Sequence, residues 1–211
     1  MEKYFDTRFK HSKIKEKIWK ELSLYIQKKV PIKKDYKVLD LGSGYCYFIN
    51  NINVKEKHAL DKSPIPLKYA KNDVIKHISD CKKLTFEKEY FDVVFCSNLL
   101  EHLTMNEVFL VSKKVNKILK KDGKFVILSP NYFYAYREYF DDYDHKSILT
   151  HKNIKDILTS CGFEIEKIIP RFLPFSANET KFFNKILFNL YLSSPYKPFA
   201  KQMLVIARRL H

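Results

Sequence analysis

The chain has 211 residues, 45% hydrophobic and 30% charged, which suits one domain with a real core and excludes a disordered tail. Four glycines exclude collagen-like, linker-like and propeller-type sequences. Lysine and arginine outnumber the acids 39 to 24, a net charge of +15, which directs attention to anionic partners.

In chain order, residues 8–30 place Ile14, Ile18, Leu22 and Ile26 every fourth position, with Trp19 and Tyr25 beside them. This spacing predicts an amphipathic helix with a lysine-rich outer face. Short strands follow at 37–41 (KVLDL), 58–61 and 74–79, and a buried strand at 91–97 (FDVVFCS). A helix is expected over 106–121, closed by Gly123 as a C-cap, before a strand at 124–129. A helix at 153–161 ending at Gly162, a strand at 163–169, a helix at 180–192 and a last strand at 202–208 complete the reading. Alternating strands and helices predict a mostly parallel α/β sheet with helices on both faces. The aromatic and acidic stretch 131–151 leaves a strand at the carboxyl end of such a sheet, where ligands bind, and is read as a substrate wall. Segment 171–200 is a second covering insert, and 1–35 an N-terminal helical cap on the core 36–130. All belong to one domain, 1–211. The Phe182, Phe183, Ile186, Leu187 and Leu190 face of the late helix reads as core packing or a homodimer seam.

Cys46, Cys81, Cys96 and Cys161 form no CxxC and no close Cys/His cluster, so neither a metal site nor a disulfide framework is expected. No apolar run approaches the ~20 residues of a membrane span, and the charge-studded start lacks the apolar core of a signal peptide. The expected setting is the cytoplasm. Positive charge concentrates at the ends, +7 over residues 1–37 and +6 over 168–211, as flanks that meet an anion or as a composition bias on solvated faces.

Two of the glycines share one loop, in Asp40-Leu41-Gly42-Ser43-Gly44. Glycine there lets the chain turn after its strand and approach a ligand without a Cβ clash. A dinucleotide fingerprint would need a third glycine where Tyr47 stands. Asp40 precedes the loop, Asp61 ends the next strand and Asp80 follows the third. This arrangement resembles the class I S-adenosylmethionine-dependent methyltransferases over about residues 36–130. The resemblance implies a Rossmann-like, seven-stranded sheet with an antiparallel last strand and a small helical insert. It implies S-adenosylmethionine as cofactor and S-adenosylhomocysteine as product. Asp40, Gly42, Ser43 and Gly44 would approach its methionyl and ribose parts. Asp61, with Lys62 beside it, would take the ribose hydroxyls, since a carboxylate accepts from a vicinal diol. Asp80 and Cys81 would hold the adenine, and Ser97, Asn98 and His102 would lie by the sulfonium. Cys46 stands where the family has a third glycine, a departure read as tolerable for size.

Looser motifs downstream (Ser129-Pro130-Asn131, Tyr143-Asp144-His145) resemble a subgroup that accompanies bacterial polysaccharide and cell-envelope glycan biosynthesis. That likeness implies a setting rather than a reaction; with the basic flanks, the reading is O-methylation of a small, anionic or glycan-related acceptor. His145, oriented by Asp144, is the first general-base candidate and His102 the second. The aromatic rings of 132–136 are expected to exclude water above the methyl group. An RNA methyltransferase whose basic ends track phosphates, and a non-catalytic cofactor-binding subunit, are the alternatives.

Overall fold

A computed structural model describes residues 11–174 and 183–210. Helix α1 (Lys13–Lys29) opens at Ser12, whose hydroxyl accepts from the Lys15 amide, and buries Ile18, Leu22 and Ile26 as the four-residue spacing requires. Seven strands follow: β1 (Lys37–Leu41), β2 (Glu56–Asp61), β3 (Val74–Ile78), β4 (Phe91–Ser97), β5 (Leu119–Pro130), β6 (Phe163–Pro174) and β7 (Ala200–Arg209). Their order in the one sheet is 3-2-1-4-5-7-6. The first five run parallel, and β7 lies antiparallel between β5 and β6.

Both faces of the sheet are covered, which is why the central strands read as unbroken apolar runs. Successive side chains then divide between the faces. Leu39, Leu41, Val94, Cys96, Phe125, Ile127, Met203 and Val205 pack with helices α3 (Met105–Ile118) and α5 (Asn153–Ser160). Val38, Val93, Phe95, Val126, Leu128, Leu204 and Ile206 pack on the other face with α1 and with α6 (Lys185–Ser193). Two short helical turns complete the chain, α2 (Pro64–Leu67) after β2 and α4 (Tyr132–Ala135) after β5.

Several expectations are corrected. Helix α3 ends at Ile118, not beyond Lys120, because Leu119 already pairs with Phe91 at the foot of the sheet. Gly123 is therefore no C-cap: it lies within β5, and Asp122 takes the positive φ of +61°. Strand β6 runs on to Pro174, so residues 171–174 belong to the sheet rather than to an insert. The late helix starts at Lys185, its N-cap Asn184 accepting from the Ile186 and Leu187 amides. Ile186, Leu187 and Leu190 are exposed rather than core, and Phe182 and residues 180–181 lie outside the described residues. Gly162, with φ of +87°, ends α5 as expected.

At the start of α3, Thr104 and Glu107 form a reciprocal cap. The Thr104 hydroxyl accepts from the Glu107 amide, and the Glu107 carboxylate accepts from the Thr104 amide at 2.9 Å. Thr104→Ala is expected to lower stability by about 1 kcal/mol, read as a fall in the urea midpoint at unchanged slope. An unchanged midpoint would show that Glu107 and its Lys82 partner hold this end alone.

Candidate active site

The carboxyl ends of β1, β2 and β4 open into a cavity of about 770 Å³, within the usual range for a small-molecule site. The loop after β1 forms its floor. Gly42 and Ser43 donate backbone N–H groups to the Leu60 carbonyl at 2.8 and 3.1 Å, folding the loop over the end of β2. Gly42 has φ of +70°, and a Cβ there would meet Leu99 Cδ1 at 2.9 Å. Gly44 has φ of +48°, but a Cβ there would meet nothing within 4 Å. Conformation fixes the second glycine, and its open side leaves room for a ligand to approach. Cys46, too, has φ of +59°. The position asks for glycine's backbone rather than its size, and a cysteine holds it at a cost of roughly 1–2 kcal/mol.

Asp61 is 7% exposed and is no bare acid. One carboxylate oxygen accepts from the Gly44 amide at 2.9 Å and the other from the Ser63 amide at 2.9 Å. Each oxygen keeps a further acceptor site, so Asp61 can shape the loop and still receive a diol. Burial raises its pKa, opposed by those two amides. Asp40 is deeper, 3% exposed, and burial pushes its pKa up to about 8 despite a hydrogen bond from the Ile49 backbone.

Asp40, Gly42, Ser43, Gly44, Asp61, Lys62, Asp80, Cys81, Ser97, Asn98 and His102 all line the cavity. Asp80 accepts from the Lys82 amide at 2.8 Å. Cys81 is buried beside it, its thiol pushed up to about 12 by burial. Ser97 Oγ is buried without a hydrogen-bond partner, a polar atom left for a ligand to satisfy. Asn98 adopts φ of +49° as the chain leaves β4.

His145 does not reach the cavity wall. It is buried behind His102, with ring centroids 5.0 Å apart. Its Nδ1–H donates to the Tyr139 carbonyl at 2.5 Å, so that carbonyl, not the Asp144 carboxylate, orients the ring. Asp144 turns its own backbone carbonyl to His102 Nδ1 at 3.3 Å. Burial lowers the His102 pKa, and the neighbouring His145 lowers it further. Within 131–151 the cavity wall is Asp144 and Lys146, not the rings of 132–136.

Two contributors escaped the sequence reading. Helix α1 brings Lys15, Ile18, Trp19 and Leu22 over the cavity, a tertiary placement that no local pattern announces. Glu101 reads as an acid favoured in a first helical turn, yet it is fully buried, and burial pushes its pKa up to about 8. Its position beside His102 was the available signal.

This geometry agrees with the comparisons. Residues 39–127 match the family model of the methyltransferase domain. A crystal structure of an S-adenosylmethionine-dependent methyltransferase from Archaeoglobus fulgidus superposes with a TM-score of 0.70 at 19% identity, covering 99% of each chain. The fold is that of the class I S-adenosylmethionine-dependent methyltransferases, and the segment carrying the loop and the acids is the part that matches the methyltransferase-domain model. Among curated proteins, an uncharacterized protein of Methanocaldococcus jannaschii is 34% identical over 116 residues, 55% of this chain and 50% of that protein. Phosphoethanolamine N-methyltransferase of Plasmodium falciparum is 25% identical over 150 residues, 64% of this chain and 56% of that enzyme. The chain thus spans about half the length of the curated relatives it matches. S-adenosylmethionine is the cofactor these likenesses imply, and the open side of Gly44, the Asp61 carboxylate and the orphaned Ser97 hydroxyl fit it. No helix among the described residues is long and apolar enough to cross a membrane.

The buried acid makes the cofactor-free protein sensitive to pH. Asp40 unfolds into water with a pKa near 3.8 and folds with one of about 8, so folding takes up a proton between those values. Stability falls as pH rises through that window. Asp40→Asn is expected to flatten the fall in melting temperature between about pH 5 and 8. Parallel losses in both proteins would show that burial does not govern this carboxyl.

Proposed function

We propose that the chain transfers the methyl group of S-adenosylmethionine to an oxygen of a small anionic acceptor. The observation that carries this reading is the single cavity wall that joins Gly44, Asp61 and Asp80 to His102. The cofactor supplies an already activated methyl on a sulfonium, so the protein's work is in-line positioning and exclusion of water. Asp61 receives the ribose hydroxyls, with Lys62 beside it, and Asp80 with Cys81 flanks the adenine. Asp40 supports the loop of Gly42, Ser43 and Gly44 from beneath, while Ser97 and Asn98 lie by the methionyl end. His102 meets the acceptor's reacting atom, and His145 positions His102 from behind.

Lys15, Lys62, Lys82 and Lys146 stand around the cavity and favour an anionic acceptor. Lys82 is already paired with Glu107 at 2.7 Å, which leaves the other three as the stronger candidates. Lys15 and Trp19 of α1, Asp144 and Lys146 of the segment after β5, and Asn184, Leu187 and Phe188 at the late helix line the cavity and serve as the cover of the acceptor side. A glycan-related acceptor rests on the looser downstream motifs alone. A second reading, methylation of an amine that carries an anionic group, is supported by the likeness to phosphoethanolamine N-methyltransferase.

Asp61→Ala is expected to weaken S-adenosylmethionine binding by ~1.5–3 kcal/mol, the range of a hydrogen bond to a charged group. Calorimetric titration reads this directly, and unchanged affinity would remove Asp61 from the cofactor site. His102→Ala is expected to cut turnover by about 100-fold or more with cofactor affinity held within a factor of about two. Equal losses in binding and turnover would make His102 a part of the cofactor's wall instead.

A further inference from the structure

Behind the acceptor side of the cavity, three side chains from distant parts of the sequence converge. Glu101 and His102 sit on the short turn after β4, and His145 comes from the segment after β5. A carboxylate oxygen of Glu101 and one ring nitrogen from each histidine all lie within 4.8 Å of one another. The convergence is built. The Lys146 and Ser147 amides donate to the Glu101 carbonyl at 2.8 and 3.2 Å, and the Ser147 hydroxyl donates to the Leu100 carbonyl at 3.2 Å. The Tyr139 hydroxyl in turn donates to the Ser147 carbonyl at 2.7 Å.

The hydrogen bonds also set what each group presents. A carbonyl only accepts, so His102 Nδ1 carries the proton it gives to Asp144, and His145 Nδ1 the proton it gives to Tyr139. Nδ1 is thus the donor nitrogen of both rings. Glu101 accepts from the Ser129 hydroxyl through Oε2 at 3.2 Å, while Oε1 is buried without a hydrogen-bond partner on a residue that is 0% exposed. A buried carboxylate oxygen left bare is costly unless a proton or a cation meets it. Two imidazoles whose Nδ1–H groups are held by backbone carbonyls, with a carboxylate held by a hydroxyl, match the supported ligand sets typical of metal centres.

We propose that Glu101, His102 and His145 bind one divalent transition-metal ion of the zinc type at the wall of the acceptor cavity. Two nitrogens and one carboxylate favour such an ion over magnesium or calcium, which prefer oxygen ligands. Three protein ligands leave a position open, and of the three only His102 lines the cavity, so an acceptor would reach the ion beside His102. Ligands at ~2.1 Å from a shared ion stand closer together than the present spread, so binding draws the three side chains inward by about an ångström.

The inference rests on the methyltransferase reading for its chemistry. An acceptor hydroxyl bound at the open position loses its proton to solvent more readily. Its oxygen then attacks the methyl carbon, the carbon–sulfur bond breaks, and its electron pair leaves with S-adenosylhomocysteine. The sequence expectation of no metal site considered only local spacing, and His145 lies far from Glu101 and His102 along the chain.

The test titrates tag-free, chelator-treated protein with Zn²⁺ by calorimetry and with Co²⁺ by visible absorption. One equivalent of Zn²⁺ and cobalt bands of a nitrogen-and-oxygen site are expected. Glu101→Gln and His145→Ala, checked for folding by circular dichroism, should each weaken binding by at least about 100-fold, since changes even to outer supports cost 10–100-fold. Failure of the wild type to bind, or equal binding by folded variants, overturns the proposal. Should a variant not fold, wild-type crystals soaked in Zn²⁺ decide. An anomalous peak among the three side chains supports the site, and its absence there refutes it. S-adenosylmethionine titrated into the same samples keeps the two readings apart: cofactor bound without metal defeats only the metal site, and no cofactor bound defeats the methyltransferase reading itself.

Discussion

The floor of the cavity depends on one buried carboxylate bridging two backbone amides. Asp61 stands at the end of β2 and ties Gly44, on the loop after β1, to Ser63, on the turn into α2. Beside that bridge, the Gly42 and Ser43 amides tie the loop to the Leu60 carbonyl, and the Cys46 amide closes it on the Ser43 carbonyl at 2.8 Å. Such a loop must carry left-handed residues, and Gly42, Gly44 and Cys46 all have positive φ. Backbone strain and a desolvated acid are therefore concentrated at one point of the sheet. This is where functional sites tolerate both.

A second fastening works at the end of β4. There the chain turns through Leu100–His102, and the 142–147 segment clamps onto that turn by backbone hydrogen bonds. The clamp explains why a stretch with exposed Tyr136, Phe140 and Tyr143 still positions two histidines closely. It also separates the roles of those histidines. His102 faces the cavity, and His145 faces His102.

The strands were legible because the sheet is covered on both sides. FDVVFCS and KVLDL could only be buried strands, and both occupy their expected residues. Gly123 misled because a glycine after a helical pattern is usually its stop, whereas here the sheet's own pairing of Leu119 with Phe91 ends α3 at Ile118, three residues before the expected end. The acids of the cavity were legible for a related reason, since Asp40, Asp61 and Asp80 each stand at or just beyond the carboxyl end of a strand and so lie at the same end of the sheet. What local pattern could not carry was everything that approaches from elsewhere: α1 above the cavity, Leu99 beneath Gly42, and His145 behind His102. Asp61 was found for its position, but its bonds to the Gly44 and Ser63 amides exist only in three dimensions.

Diffraction from crystals grown with S-adenosylhomocysteine tests the central claim most directly. The account predicts the ribose hydroxyls within hydrogen-bond distance of Asp61, the adenine edge beside Asp80, and the sulfur turned toward His102 across the acceptor side of the cavity. Density for the ligand outside the Gly42–Gly44 loop, or a sulfur directed away from His102, would contradict it.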